Sequence, residues 1–338
     1  MFDLIGDIHG HFTELLRLLD ELGYQQQGSA FRHPDRKAIF LGDFIDRGSG
    51  SMAVIETVRA MVEAGSALAV MGNHEFNALA YHTPHPEQPG EYLRPRTAKN
   101  TTQHQATLDA LEGQPPDTML DWFYGLPLWL DLGDIRVVHA CWDEPSMQVL
   151  KKAGAVDEQN RLRPASLQAA STWGDPVFKA VEIILKGMEV TLPGGITYQD
   201  KEGNERSEIR ITWWDAAQKS SWRELAMGPR HLRDALPVDK GPEPRISKSY
   251  PGSAPPVFLG HYWLSGEPKP LAPNVACVDY SVAKQGGALA AYRWQGERVL
   301  KKEHFLTVPR RSSPSPRWRA LRGQSLAVAG CSWPGSVS

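Results

Sequence analysis

The first 80 residues predict an α/β fold in which part of the sheet is parallel. Short apolar runs at 2–5, 38–41 and 67–71 each end in a glycine, and two helical patterns lie between them. Strands that alternate with helices at this spacing form βαβ units, whose strands run parallel. The chain therefore predicts a sheet with loops gathered at the carboxyl ends of its first strands.

The two helical patterns support this order of elements. Apolar residues at Phe12, Leu15 and Leu19 recur three and four positions apart, as on one face of an amphipathic helix. The second helix is expected over 52–62, and a glycine follows both helices, as is common at helix C-termini.

Later segments are less regular. We expect a long surface loop at 82–104, which contains four prolines, and a β-rich insertion at 180–213. A connector rich in proline and charge is expected at 235–256. Further strands are expected at 135–138, 257–259, 275–278, 288–294 and 298–302.

Composition excludes several classes of protein. The chain has 338 residues, of which 41% are hydrophobic and 22% charged, as in an ordinary soluble protein. Its net charge of −2 argues against a generally basic nucleic-acid binder. Three widely spaced cysteines and no long apolar run predict a reducing compartment, no membrane span and a cytoplasmic location.

Polar residues stand just after the apolar runs. In open α/β sheets such residues face a crevice at the carboxyl ends of the strands. Aspartate, asparagine and histidine together supply oxygen and nitrogen ligands without thiolate, which suits manganese, iron or zinc. Eight residues could face this crevice: Asp7, His9, Asp43, Asp46, Asn73, His74, His139 and His261. Two aspartates, an asparagine and three histidines make six ligands, which are too many for one tetrahedral zinc ion but suit two metal ions that share a carboxylate.

Three segments resemble the signature blocks of the calcineurin-like metallophosphoesterases, and of their phosphoprotein phosphatase branch in particular. They are Gly-Asp-Ile-His-Gly at 6–10, Gly-Asp-Phe-Ile-Asp-Arg-Gly at 42–48 and Gly-Asn-His-Glu at 72–75. His139 and His261 resemble the two later histidine blocks. The resemblance implies an αββα sandwich of two mixed sheets. It further implies one catalytic domain at 1–308, with insertions near 82–104 and 180–256. A composition dominated by serine, proline and arginine predicts a disordered basic tail at 309–338.

The same resemblance implies a role for each residue. Asp7 and His9 would bind one divalent ion, and Asp43 would bridge to a second, with Mn²⁺ expected and iron or zinc as alternatives. Arg47 would bind the phosphate. His74 would protonate the leaving oxygen, oriented by Asp46. The remaining ligands of the second ion would be Asn73, His139 and His261.

Some residues leave alternatives open. A second phosphate-binding arginine is expected from a later segment, and either Arg206 or Arg210 could serve. His82, His85 and His104 could form a third metal site, although a solvated loop is the simpler interpretation. We interpret Cys141 as core packing near the site and not as a nucleophile.

The function implied is hydrolysis of phosphomonoesters, with a bacterial-type protein phosphatase as the first hypothesis. Its substrate would be a phosphorylated protein or a small phosphoester, and no membrane or nucleic-acid partner is expected. Asp46 and Glu75 favour this hypothesis over a symmetrical dinucleoside tetraphosphatase, whereas the segment 47–51 favours the tetraphosphatase. An RNA-end phosphatase and a non-catalytic scaffold are the remaining alternatives.

Overall fold

Two β-sheets lie face to face and helices cover their outer surfaces. In this computed structural model the described residues are 1–199, 205–214, 221–228, 230–237 and 249–311. The strands, β1 to β16 in chain order, are Phe2–Ile5, Gln25–Gln27, Ala30–Arg32, Lys37–Phe40, Ala67–Ala69, Trp129–Asp131, Arg136–Val138, Glu189–Thr191, Tyr198–Gln199, Glu205–Arg206, Glu208–Arg210, Val257–Leu259, Val275–Cys277, Asp279–Tyr280, Ala288–Trp294 and Phe305–Pro309.

Both sheets are mixed. In the first, β1 pairs in parallel with β4, β4 pairs in parallel with β5, and β15 runs antiparallel to β1, β14 and β16. In the second, β12 lies between β7 and β13 and is parallel to both, while β6 runs antiparallel to β7. The parallel strands of both sheets thus send their carboxyl ends toward loops that carry the sequence motifs.

Alternation along the strands divides the core into layers. Leu4 and Ile39 pack with Val137 and Phe258 of the other sheet, so their side chains form the layer between the sheets. Ile5, one residue further along β1, packs instead among helix residues. Because successive side chains of a strand point to opposite faces, each short strand contributes to both layers. This arrangement is the αββα sandwich that the sequence predicts.

The helices supply the outer layers. Asp143 and Asp175 cap two of them, each accepting a hydrogen bond from a backbone N–H of the first turn. Helices α1 to α10, in chain order, are Phe12–Glu21, Ser51–Glu63, Asn73–His82, Ala98–Ala110, Asp117–Tyr124, Glu144–Lys152, Leu167–Ser171, Pro176–Lys186, Trp222–Leu225 and Arg230–Ala235. None of the described helices is long and apolar enough to cross a membrane.

The prediction of a loop at 82–104 is wrong for residues 98–104, which are helical. Helix α4 begins at Ala98, after Thr97 caps it by accepting a hydrogen bond from the N–H of Asn100. Its buried residues are His104 and Thr107, both polar. A helix whose buried face is polar leaves no hydrophobic period in the sequence, and for this reason the pattern did not reveal it.

Two other expectations differ from the structure. Helix α8 occupies the start of the expected β-rich segment at 180–213, and strand pairs β8–β11 and β9–β10 follow it. The strand expected at 298–302 is absent there, because Leu300 donates its N–H to the carbonyl of Pro273 in a loop. The closing strand is β16 instead. The division into a domain at 1–308 and a tail stays a prediction, since 312–338 lies outside the described residues.

Candidate active site

The carboxyl ends of five strands bring the predicted site residues together. Asp7 and His9 follow β1, Asp43 follows β4, and His139 follows β7. Each is almost completely buried, with at most 2% of its surface exposed. Residues that are up to 254 positions apart in the chain therefore meet in one crevice, as the ends of neighbouring parallel strands dictate.

The loops that carry these residues adopt left-handed backbone conformations. His9, Asp43, Asp46 and Arg47 have φ values of 47°, 53°, 68° and 65°, which are unfavourable for residues with a Cβ atom. Such conformations cost roughly 1–3 kcal/mol each and persist only where surrounding contacts enforce them. Clusters of them are typical of functional sites.

Glu75 supplies those contacts for the Asp43 loop. Its buried carboxylate accepts hydrogen bonds from the backbone N–H groups of Asp43, Phe44 and Gly72 at 2.8, 2.8 and 2.9 Å. All three donors belong to the second and third motifs, so Glu75 ties the two loops together. From the sequence, Glu75 is expected to indicate the substrate class. In the structure Glu75 has no solvent exposure and stabilises the backbone of two loops.

A first group of side chains that could bind a metal ion lies around one oxygen of Asp43. The Nε2 atoms of His9 and His74 lie 3.6 and 3.9 Å from its Oδ2. The Nδ1–H of His9 donates to the carbonyl of Ile45 at 3.0 Å, which leaves an unprotonated Nε2 that is buried without a partner. Burial lowers the pKa of His9 to about 3, so this nitrogen is a free lone pair at neutral pH. An orphaned lone pair beside a carboxylate fits a bound cation.

A second group surrounds the other oxygen of Asp43. The Nε2 of His139 lies 3.5 Å from Oδ1 of Asp43 and 3.1 Å from Oδ1 of Asn73, and Nδ1 of His261 lies 2.8 Å from the same Asn73 oxygen. The Nδ1–H of His139 donates to the carbonyl of Leu41, so Nε2 faces the group. Burial alone would lower the pKa of His139, but the negative charges of Asp43 and Asp7 outweigh burial and raise this pKa to about 10. The group therefore attracts positive charge.

Asp7 belongs to neither group among the described residues. Its carboxylate accepts the backbone N–H of His261 at 3.0 Å, and a Cβ at Gly260 would meet it at 2.1 Å. Burial and the nearby Asp279 raise the pKa of Asp7 well above its usual range. Its role as a ligand of the first ion stays a prediction.

His74 is paired with Asp46 on the side away from Asp43. Its Nδ1–H donates to Oδ2 of Asp46 at 2.5 Å. Burial lowers the pKa of His74, but Asp43 and Asp46 outweigh it and raise it above its usual value. Burial raises the pKa of Asp46, but hydrogen bonds from His104 and His74 outweigh it and hold that pKa well below its usual range. Both shifts favour a proton on the His74 ring and a negative charge on Asp46.

The sequence of the chain matches a known protein family. The family model for calcineurin-like phosphoesterases matches residues 1–187, more than half of the chain. The chain belongs to this family. An asymmetrical bis(5'-nucleosyl)-tetraphosphatase, PrpE, from Halalkalibacterium halodurans is 46% identical over 74 residues, which are 22% of this chain and 30% of that protein. The PrpE of Oceanobacillus iheyensis is 30% identical over 152 residues, or 44% of this chain and 59% of that protein. The aligned part thus spans less than two thirds of either relative.

Solved structures resemble the phosphoesterase more distantly. A protein serine/threonine phosphatase from Saccharomyces cerevisiae is 16% identical with a TM-score of 0.47, and the match covers 93% of this chain and 81% of that one. A cold-active protein-tyrosine phosphatase from a Shewanella species is 16% identical with a TM-score of 0.45, covering 86% and 75%.

The cationic side chains of the phosphoesterase lie beside the two groups. The guanidinium of Arg47 stacks 4.2 Å from the ring centre of Trp263, and the ammonium of Lys284 lies 4.5 Å from the same ring. Burial lowers the pKa of His261, and the nearby charge of Arg210 lowers it further. The Nε atom of Arg210 is buried without a hydrogen-bond partner. Arg206 is exposed on β10. Of the two arginines left open by the sequence, Arg210 is the one placed near the site.

The three loop histidines do not form a group of their own in the described chain. His104 is buried and donates its Nδ1–H to Asp46, while its Nε2 lies 3.1 Å from Nε2 of His82. His85 is half-buried and accepts the N–H of Glu87. Sequence reasoning missed the contact of His104 with Asp46, because 58 residues separate the two.

Cys141 lies in the core of the phosphoesterase, as expected. Its side chain is 1% exposed, and burial raises the pKa of its thiol well above the usual range. A protonated, buried thiol is a poor nucleophile.

Asp279 is a further buried acid that sequence reasoning missed. It accepts the N–H groups of Trp263 and Ser281, although its position after β13 follows the same pattern as the predicted site residues.

Proposed function

We propose that this chain is a metal-dependent hydrolase of phosphoester or phosphoanhydride bonds. The observation that carries the proposal is the convergence of two groups of nitrogen and oxygen atoms on the two oxygens of Asp43. A carboxylate that faces two such groups suits a pair of ions about 3.5–4 Å apart. Family membership agrees with this chemistry.

The residues present fit two divalent ions. His9, Asp43 and Asp7 would hold the first, and Asp43, Asn73, His139 and His261 would hold the second. The donor set contains oxygen and imidazole nitrogen without thiolate, so we propose Mn²⁺, with iron or zinc as alternatives. When bound, such ions polarise the phosphoryl group and lower the pKa of the attacking water.

Two arginines would bind the phosphoryl oxygens. A planar guanidinium such as that of Arg47 can form two parallel hydrogen bonds to a phosphate, and stacking on Trp263 limits its rotation. Arg210 would be the second, because its buried Nε lacks a partner and its Nη2 is held by Glu189 at 3.2 Å.

His74 would donate a proton to the leaving oxygen. Its Nδ1 is engaged by Asp46, so the proton available for transfer is on Nε2, the nitrogen that faces Asp43. A positioned acid of this kind contributes roughly 10²–10⁴ in rate. Asp46 orients the ring and stabilises its positive charge.

For the substrate we propose a dinucleoside tetraphosphate. The two PrpE relatives carry that activity in their names, and Arg47, Arg210 and Lys284 would suit a polyanion. A phosphoprotein is the second candidate, favoured by the Asp46–His74 pair. An alkoxide leaving group needs a proton, whereas a phosphate leaving group has a second pKa near 6 and needs it much less.

A product analysis tests the proposal. The purified chain, with Mn²⁺ and with EDTA, is incubated with diadenosine tetraphosphate and with a phosphoserine peptide, and the nucleotides are separated by ion exchange. AMP with ATP indicates asymmetrical cleavage, and ADP alone indicates symmetrical cleavage. Asp43→Asn, purified identically, measures contaminating activity. Turnover of neither substrate above that background would refute the proposal, and turnover of the peptide alone would favour the second candidate.

A further inference from the structure

Asp46 has more partners than a two-residue pair requires. Its Oδ2 accepts from His74, and its Oδ1 accepts from Nδ1 of His104 at 2.8 Å and from the hydroxyl of Thr107 at 2.7 Å. The hydroxyl oxygen of Thr107 in turn accepts the backbone N–H of Asp46 at 2.9 Å. Both the side chain and the backbone of Asp46 are therefore held from one direction.

That direction is helix α4. His104 and Thr107 are three residues apart, so they lie on the same face of the helix. His104 and Thr107 are 5% and 0% exposed. Burying a polar side chain costs free energy unless hydrogen bonds compensate for the lost contact with water. The hydrogen bonds to Asp46 compensate that cost, and they give this polar face of the helix a specific partner.

We propose that α4 is the positioning element of the His74–Asp46 pair, and that His104 and Thr107 are its positioning residues. The proposal rests on the function proposed above for His74. A carboxylate on its own rotates broadly about its terminal bond. Two donors on Oδ1 remove that freedom and leave Oδ2 aimed at Nδ1 of His74, which keeps Nε2 of the ring toward Asp43.

His82 extends the arrangement by one contact. Its Nε2 lies 3.1 Å from Nε2 of His104, and burial lowers the pKa of His82 to about 4. A neutral ring at this position supports the orientation of His104 without adding charge. We therefore expect substitutions at His82 to have a smaller effect than substitutions at His104.

The test uses matched pairs of variants. Thr107→Val and His104→Leu each remove a donor to Asp46 at nearly constant volume. Thr107→Ser keeps the hydroxyl, and His104→Asn keeps an N–H near the position of Nδ1. His85→Leu is the control for loss of a half-buried histidine in the loop before α4 that makes no contact with Asp46 among the hydrogen bonds described. Metal content and melting temperature are measured for every variant.

The first readout is the dependence of kcat on the leaving group. Phenyl phosphate needs a proton on departure much more than p-nitrophenyl phosphate does. We expect Thr107→Val and His104→Leu to lose about 10–100-fold on the phenyl ester and clearly less on the nitrophenyl ester. Thr107→Ser, His104→Asn and His85→Leu should stay close to the parent protein on both. Equal losses on the two esters, or no loss, would overturn the proposal.

The second readout does not depend on activity. In protein labelled with ¹⁵N-histidine, the Nδ1–H of His74 should give a far-downfield proton resonance because of its short hydrogen bond to Asp46, and His74→Asn assigns it. Thr107→Val and His104→Leu should shift or broaden that resonance, and Thr107→Ser should not. An unchanged resonance would overturn the proposal. If His74→Asn shows no leaving-group dependence, the acid role of His74 fails, and this resonance alone decides whether α4 positions the pair.

Discussion

Glu75 fixes the backbone of Asp43 by accepting its N–H at 2.8 Å. The same carboxylate holds Gly72, next to Asn73, at 2.9 Å. Gly72 is itself required there, because a Cβ at this position would lie 2.3 Å from Oδ1 of Asp43. The carboxylate proposed to bridge two ions is thus placed by a buried anchor and a close backbone approach before any ion binds.

Replacing Asp43 should remove the ions and the activity together. Asp43→Asn keeps the shape of the side chain but lacks the negative charge that both groups face. We expect a folded protein with fewer than two metal ions per chain by elemental analysis and with activity at background. A variant that holds two ions and turns over normally would show that the ligand assignment is wrong.

Arg47→Lys should weaken the binding of phosphate. A lysine offers a point charge in place of a planar fork that forms two hydrogen bonds, and it stacks less well on Trp263. We expect the inhibition constants for phosphate and vanadate to rise while metal content stays the same. Trp263→Leu should raise them to a smaller degree. Inhibition constants equal to those of the parent protein would show that Arg47 does not bind the phosphate.

The variant His74→Asn should show whether His74 acts as a general acid or as a metal ligand. We expect kcat on a phosphoserine peptide to fall by about 10²–10⁴ and kcat on p-nitrophenyl phosphate by clearly less, since the nitrophenolate leaves without a proton. Asp46→Asn should show the same pattern in milder form. The control is His139→Asn, which should lose metal and slow both substrates alike. Loss of metal in His74→Asn, with equal losses on both substrates, would make His74 a ligand.

A buried ion pair far from the site should govern stability. Arg36 donates from Nε to both oxygens of Asp3, which is 0% exposed. Arg36→Met leaves that carboxylate with Arg293 and Tyr24 as its remaining partners. We expect a loss of about 3 kcal/mol in the free energy of unfolding measured in urea. Arg59→Met, which breaks an exposed pair with Glu63, should cost less than about 1 kcal/mol.

The buried thiols should react only when the protein opens. Burial raises the pKa of Cys141 and Cys277, so both stay protonated in the folded protein as pH rises from 7 to 9. In a Cys331→Ser background, we expect no fast reaction with a disulfide reagent across this range and reaction of both thiols in guanidinium chloride. A rate for the native protein that rises tenfold per pH unit would show an accessible thiol of ordinary pKa.

The sequence alone determined the elements of the fold that depend on local pattern. Apolar runs that end in glycine located β1, β4 and β5, and the polar residues just after them identified His9, Asp43 and Asn73 as members of one crevice. Parallel strands place such residues at one edge whatever the rest of the chain does. These features were therefore predictable from residues close together in the chain.

The tertiary structure alone decided the partners that come from distant segments. Helix α4 buries His104 and Thr107 against Asp46, which lies 58 and 61 positions earlier, and its polar face carries no hydrophobic period. The insertion likewise placed Arg210 close enough to His261 to lower the pKa of that histidine, whereas Arg206 is exposed on β10. A hydrogen bond between distant residues depends on the packed position of both, and position in space is set by the assembled core and not by any short stretch of sequence.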